Sequence, residues 1–255
     1  MKTLTIIPAR MGSSRFPGKP LKNILGIPMI GHVYKRSCLA NTTDLVYVAT
    51  CDKQIFDYVE SIGGKAVMTS DKHERCTDRT AEAVERIEKE TNTKFDIILM
   101  IQGDEPMVTP GMIDSSLKGI IERQANVVNL VVKIKNKEEF LDPNEVKVVL
   151  DIQKKALYFS REPIPSVKKF SGKADWFKQV CVIPFKRDYL FKFNSMKPTP
   201  LEEVESVDML RILEHGESVD CIEINENIYS VDTKEDLEKV ESLMSDDILL
   251  STYID

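Results

Sequence analysis

The stretch IIPARMGSSRFPGKPL, residues 6–21, concentrates three cations (Arg10, Arg15, Lys19) and two glycines (Gly12, Gly18) within ten residues. Arginine offers phosphate oxygens a planar fork of donors, and lysine offers a mobile point charge. Glycine lets backbone N–H groups come close to an anion. The stretch follows a short apolar run, Leu4 to Ile7, so it leaves the end of a strand, where α/β sheets take up ligands. The chemistry implied is the gripping of a phosphate-bearing small molecule. Two common phosphate loops do not account for it. Five residues, not four, separate Gly12 from Gly18, and Pro20 follows Lys19 where a magnesium-binding Ser or Thr would stand. The GxGxxG turn is absent as well.

A second kind of chemistry is written in carboxylates. IQGDEP sets Asp104 and Glu105 directly after DIILMI, the most continuous apolar run of the chain. IYSVDTKED sets Asp232 at the end of another apolar stretch, with Thr233 suited to cap a helix. Carboxylates at the ends of two strands distant in sequence could converge at the mouth of a sheet. Hard oxygen ligands of this kind suit Mg2+, which often takes one or two carboxylates together with phosphate oxygens. A turn aspartate and a helix-capping aspartate would look the same in sequence.

The elements that position these residues follow from periodicity. Strand-like runs at TLTII, LVYVAT (45–50), GGKAVM and DIILMI alternate with helical patterns at 29–40, 53–62, 79–91 and 110–121. The last of these helices places Ile113, Leu117, Ile120 and Ile121 on one face. Such alternation predicts an α/β fold, a Rossmann-like and mainly parallel nucleotide-binding sheet. After Asn126 the runs NVVNLVVKI, VKVVLD and ALYFS succeed one another with little helix between, which predicts an antiparallel subdomain for the acceptor or for dimerisation. KNKEE reads as a solvated helix start, 163–178 as a polar loop carrying Trp176, and helical patterns return at 202–214 and 234–244. The last ten residues have no evident partner and are expected to fray. The chain reads as one nucleotidyltransferase domain: a core of 1–125 and about 200–245, and an acceptor or dimerisation portion of about 126–200.

Bulk composition narrows the class. The 255 residues carry a net charge of -6, with 42% hydrophobic and 30% charged residues. An acidic chain is a poor sequence-independent nucleic-acid binder, so the cations of the first loop serve a small ligand. Five scattered cysteines (Cys38, Cys51, Cys76, Cys181, Cys221) form no CxxC pair, which suggests neither a structural zinc site nor a disulfide framework and reads as reduced, buried and inert thiols in a cytoplasmic protein. No run is long enough to span a membrane and no leader pattern opens the chain, so no membrane partner is expected.

PAR-x-GSSRFPGKPL resembles the signature loop of sugar-acid cytidylyltransferases, especially the 3-deoxy-manno-octulosonate (Kdo) cytidylyltransferases. The resemblance continues in family order through VYVAT, GGKAVMTS, TDR, QGDEPM, PNEVKVV, ALYFSREPIP, LEHG and VDTKEDLEKV, nearly the whole chain. It implies a homodimer that transfers CMP from CTP to an acidic sugar and releases pyrophosphate. It implies that Pro8, Ala9, Arg10, Gly12, Ser13, Arg15, Lys19 and Gln102 hold the nucleotide, with Arg75, Cys76, Asp78 and Arg79 on its base side. It implies that Asp104 and Asp232 hold Mg2+ and that Arg10, Lys19 and Asp104 are catalytic. The acceptor falls to Gln102, Arg161, Gln179, Asp208 and Met209.

The chain departs from that pattern at informative places. HERCTDR has Arg75 and Cys76 where the family has Ser and Gly. QVCVIPF has Gln179 and Cys181 where the family has His and Gly, and VDMLR has Met209 where it has Gln. Sites built on hydrogen bonds discriminate strongly, so these replacements point to a changed acceptor preference. Another sugar acid or a phosphonate is the alternative within the class. A nucleotide-binding module without catalysis is the alternative outside it, against which the retained Arg10, Lys19, Asp104 and Asp232 speak. His32 and His215 are read as structural or solvated, and His73 as a candidate in the base-side loop.

Overall fold

The structure, a computed structural model, describes residues 1–13, 15–169, 171–172 and 174–254. Ser14 of the cationic loop, and Phe170 and Lys173 of the polar loop, lie outside the described residues. The elements run β1 (Thr3–Ala9), β2 (Asn23–Ile24), β3 (Ile27–Pro28), α1 (Met29–Cys38), β4 (Leu45–Thr50), α2 (Lys53–Ser61), β5 (Ala66–Met68), α3 (Cys76–Thr91), β6 (Ile97–Ile101) and α4 (Pro110–Glu122). The second half holds β7 (Val128–Lys133), α5 (Lys137–Leu141), β8 (Lys147–Leu150), β9 (Ala156–Ser160), β10 (Phe177–Val180), β11 (Val182–Lys186), α6 (Arg187–Ser195), α7 (Pro200–Glu205), α8 (Met209–Glu214), β12 (Asp220–Ile224) and α9 (Lys234–Met244).

Two five-stranded sheets result, ordered β11-β6-β1-β4-β5 and β12-β7-β10-β8-β9. In the first, β1 pairs in parallel with β4 (Leu4 opposite Leu45) and β6 (Thr3 opposite Ile97), and only the edge strand β11 is antiparallel. In the second, only β12 with β7 is parallel. β1 and β6 are buried at every position because helices cover both faces of their sheet, which is why they read as unbroken apolar runs. Alternate side chains serve two cores. Ile7, Leu99 and Ile101 pack with α1, α2, α4 and α9, while Leu4, Ile6, Ile98 and Met100 pack with α3, α6 and α8.

Chain order and sheet membership cross twice. β11 lies within 126–200 yet belongs to the first sheet, and β12 lies beyond 200 yet belongs to the second. Cys181 alone separates β10 of one sheet from β11 of the other.

Several local expectations are corrected. The 202–214 pattern is two helices, broken at Ser206, whose φ of 54° is left-handed and ends α7. Ile121 is exposed, not in the core, since α4 buries Ile113, Leu117 and Ile120 along a narrower stripe. Asn136 does cap α5, but Glu139 turns inward to buried Lys178 at 2.6 Å. Trp176 stacks on Phe140, with ring centroids 4.1 Å apart. Cys38 is exposed rather than buried.

The last residues do not fray. Residues 248–252 form a 3-10 turn, and Tyr253 is 9% exposed. The Tyr253 hydroxyl accepts from Arg36 Nε at 2.8 Å and shares a hydrogen bond with Nδ1 of His32 at 2.9 Å. His32 Nε2 donates to the Ile24 carbonyl at 2.8 Å, and burial lowers the pKa of the ring, which favours its neutral form. Fully buried Arg36 is completed by an ion pair with Asp247.

Candidate active site

The loop after β1 is closed on itself. Ser13 N and Gly18 N both donate to the Met11 carbonyl at 3.0 Å, and Met11 N donates to Asp52 at 2.8 Å. Gly18 takes φ 72°, which glycine adopts without strain, and turns the chain into a 3-10 segment, Lys19–Leu21. That turn sends the Lys19 ammonium inward, to Asp104 Oδ2 at 2.7 Å, Asp232 Oδ1 at 3.1 Å and the Val231 carbonyl at 2.8 Å. Two carboxylates 128 residues apart in sequence thus meet at one nitrogen. Burial works against the Lys19 charge, but Asp104 and Asp232 outweigh it and raise its pKa. The other oxygen of Asp104, Oδ1, is buried with no hydrogen-bond partner among the described residues.

The end of β6 reaches this point because Gly103 has no side chain. A Cβ there would come within 3.0 Å of the Pro8 carbonyl, so Gly103 lets the QGD turn lie against the end of β1. A Cβ at Gly12 would meet nothing within 4 Å, so its backbone faces open space.

Two adjoining cavities share Arg15, Cys76, Gln102, Asp104 and Asp232. The loop cavity, about 240 Å³, is lined in addition by Pro8, Ala9, Arg10, Gly12, Ser13 and Lys19. The inner cavity, about 220 Å³, is lined by Arg75, Arg161, Gln179, Asp208 and Met209, and by Asn144, Glu145 and Glu105. Arg15 joins the walls, with Nη2 on Asp232 Oδ1 at 2.9 Å and Nη1 on Asn144 Oδ1 at 2.5 Å. Arg10 Nη1 donates to the His73 carbonyl at 3.4 Å. Among the described residues no group of three or more His, Cys, Asp or Glu side chains is gathered for a metal, so a cation here would rest on two acids.

The inner cavity is fixed by polar contacts. Arg161 Nε donates to the Glu205 carbonyl at 2.8 Å and Nη1 to the Pro143 carbonyl at 3.0 Å. Gln179 Nε2 donates to Asn129 Oδ1 at 2.6 Å. Glu105 accepts from Cys181 N at 3.2 Å, and its burial beside Asp104 pushes its pKa up to about 8. Burial likewise pushes the Cys76 thiol up to about 12 and Cys181 well above its usual range, which makes both poor nucleophiles.

Two sequence-predicted residues stand elsewhere. Asp78 lines neither cavity, because two residues along α3 turn it by about 200° from Cys76. Arg79 is buried behind the site, donating to Thr69 Oγ1 at 2.5 Å, the Ser70 carbonyl at 3.1 Å and the His73 carbonyl at 3.3 Å; it braces the loop it follows. Sequence reasoning missed Asn144 and Glu145 as cavity residues, although they sit in the PNEVKVV motif.

A family model for cytidylyltransferases matches residues 4–221. The chain belongs to the cytidylyltransferase family. This cytidylyltransferase is 40% identical to the 3-deoxy-manno-octulosonate cytidylyltransferase of Geobacter metallireducens, over 96% of this chain and 98% of that one. It is 38% identical to the protein of the same name from Escherichia coli, over 97% and 98% of the two chains. Among solved structures it is similar to a CMP:2-keto-3-deoxy-manno-octonic acid synthetase complexed with CTP, with a TM-score of 0.88 and 38% identity over 97% of this chain and 100% of that one. A glucose-1-phosphate thymidylyltransferase from Bacillus anthracis, described as putative, shares the fold alone, at a TM-score of 0.67 and 15% identity.

Proposed function

We propose that this cytidylyltransferase transfers CMP from CTP to Kdo, with release of pyrophosphate. The observation that carries the reading is the pair of adjoining cavities with Asp104, Gln102 and Asp232 at their junction, one cationic and glycine-lined, the other holding Arg161. The relatives named for this reaction supply the acceptor. The triphosphate lies in the loop cavity, against Arg10, Arg15, Lys19 and the open backbone at Gly12. The acceptor lies in the inner cavity, its carboxylate toward Arg161, so that a hydroxyl faces the α-phosphorus in line with departing pyrophosphate. Charge that builds on the phosphoryl oxygens is met by Lys19 and Arg10.

The residues present fit a divalent cation. Asp104 offers a buried, unpartnered oxygen and Asp232 a second hard ligand, a set that suits Mg2+ with phosphate oxygens completing its shell. Bound there, Mg2+ would supply electrostatic stabilisation of the triphosphate. The test is pyrophosphate release with CTP, Mg2+ and Kdo; tight CTP binding without release on any acid would sink the reading.

A second acceptor is favoured by one observation: Gln179, Cys181 and Met209, all departures from the family pattern, line the inner cavity. Another sugar acid or a phosphonate is then the substrate. Gln179→His with Met209→Gln would move preference toward Kdo, and an unchanged acceptor profile would dismiss this reading. The protein works as a cytoplasmic homodimer on this proposal. Ile152 (99% exposed) and Leu157 on the β8–β9 hairpin, and Val204 (80% exposed) on α7, are the apolar surface that a second copy would cover. No helix among the described residues is long and apolar enough to cross a membrane.

A further inference from the structure

The turn between α7 and α8 holds two guanidinium groups that come from unrelated parts of the chain. On one side, Glu205 accepts from the backbone N and the Nε of Arg161, each at 2.8 Å, through its carboxylate and its carbonyl respectively. On the other, Arg75 Nη1 donates to Asp208 Oδ1 at 3.2 Å and Ser206 Oγ at 3.3 Å. Asp208 is itself fixed, its Oδ2 accepting from Thr77 Oγ1 at 2.9 Å. The left-handed Ser206 is what brings these anchors together, since it reverses the chain between Glu205 and Asp208. Both arginines line the inner cavity. Arg75 makes its hydrogen bonds through Nη1 alone among the described residues, so Nε and Nη2 remain for a ligand.

Charge favours the same reading. The inner cavity also carries Glu74, Glu145, Asp104, Asp208 and Asp232, and an anion entering it needs more than one compensating cation. Glu145 is already paired with Lys178 at 2.8 Å, whereas Arg75 keeps Nε and Nη2 without a hydrogen-bond partner among the described residues.

We infer that Arg75 is a specificity-determining residue for the acceptor, pairing with Arg161 across the α7–α8 turn to grip the acceptor's carboxylate. This rests on the proposed use of the inner cavity for the acceptor. Position 75 therefore belongs to the acceptor side and not to the base. A guanidinium at this place holds a carboxylate through two N–H groups, a geometry that the serine of the family motif does not offer. Asp208 is a positioning residue that aims Arg75.

Steady-state kinetics of Arg75→Ser and Arg75→Lys, with CTP and Kdo varied separately, test this. Loss of a charge-assisted hydrogen bond raises the KM for Kdo about tenfold in the serine variant and leaves the KM for CTP unchanged. Lysine, a point charge without the fork, recovers part of the loss. Asp208→Asn raises the KM for Kdo in the wild-type background and adds little in the Arg75→Ser background, because it acts through Arg75. Arg75 is partly exposed, and melting curves of the variants report that the fold is kept. An unmoved KM for Kdo, or a rise in the KM for CTP instead, overturns the inference while the wild type still turns over Kdo. A wild type that binds CTP but is inert toward Kdo overturns the acceptor assignment and the inference with it.

Discussion

At the scale of single residues, the site depends on a cation shared by two acids. Lys19 Nζ sits between Asp104 and Asp232, and Arg15 also pairs with Asp232, so a triphosphate that recruits both Lys19 and Arg15 leaves two close carboxylates without compensation. Binding of nucleotide and of divalent ion should therefore reinforce each other. Titration calorimetry should show weak Mg2+ binding to the free protein and clearly tighter binding with CTP; equal affinities would contradict the arrangement. Asp104→Asn should lower kcat about a thousandfold with an unchanged melting curve, and Lys19→Met should do so with a raised KM for CTP as well. A near-normal rate in either would remove that residue from the reaction. These residues were legible because charge and glycine on a strand-end loop have few other uses, and because apolar runs led straight into Asp104 and Asp232. Asp78 and Arg79 were placed at the cavity by motif alone; helix rotation takes one away, and burial turns the other into a brace. Arg75, by contrast, was assigned to the base side, and only the fold reveals its partners Ser206 and Asp208, more than 130 positions along the chain.

At the scale of elements, periodicity located nearly every strand and helix of the first sheet. It failed where long-range partners decide the outcome. The C-terminal turn looked unpartnered because its partners lie on α1, over 210 residues away. Arg36 is fully buried and its guanidinium is matched by Asp247, so Asp247→Asn should cost about 3 kcal/mol in denaturant unfolding, at the low end for such a pair because water reaches Asp247. A cost indistinguishable from zero would mean that the tail contributes no stability. His32 gives this unit a pH signature. Its folded pKa lies below the ordinary 6.5, so below that value the unfolded chain binds the proton more readily than the folded one. Stability from this group is complete above pH 6.5 and is lost as pH falls through the lower folded value. Arg36 and Lys35 on α1 and Tyr253 on the tail all face it, and the two cations add to the cost of a second charge. The melting temperature should fall on acidification, and His32→Gln should flatten that decline; identical slopes would assign the decline to other groups.

At the scale of the whole molecule, Leu157 lies on β9, the edge strand of the second sheet, and α7, which carries Val204, is tied to that strand through Glu205, which accepts from Ser160 Oγ. Leu157→Asp combined with Val204→Asp should convert the species seen by light scattering from dimer to monomer, since a buried charge on each copy opposes association. A wild-type protein that scatters as a monomer would end the dimer proposal. The antiparallel second sheet was legible from the run of strands after Asn126. The exchange of β11 and β12 between sheets was not, because a strand's sequence carries its burial and not the identity of its neighbours. That exchange has a mechanical side. With only Cys181 between β10 and β11, the chain crosses from one sheet to the other at the wall of the inner cavity. The seam between the two sheets is therefore itself a piece of the cavity wall, and one sheet cannot be displaced against the other without reshaping that cavity.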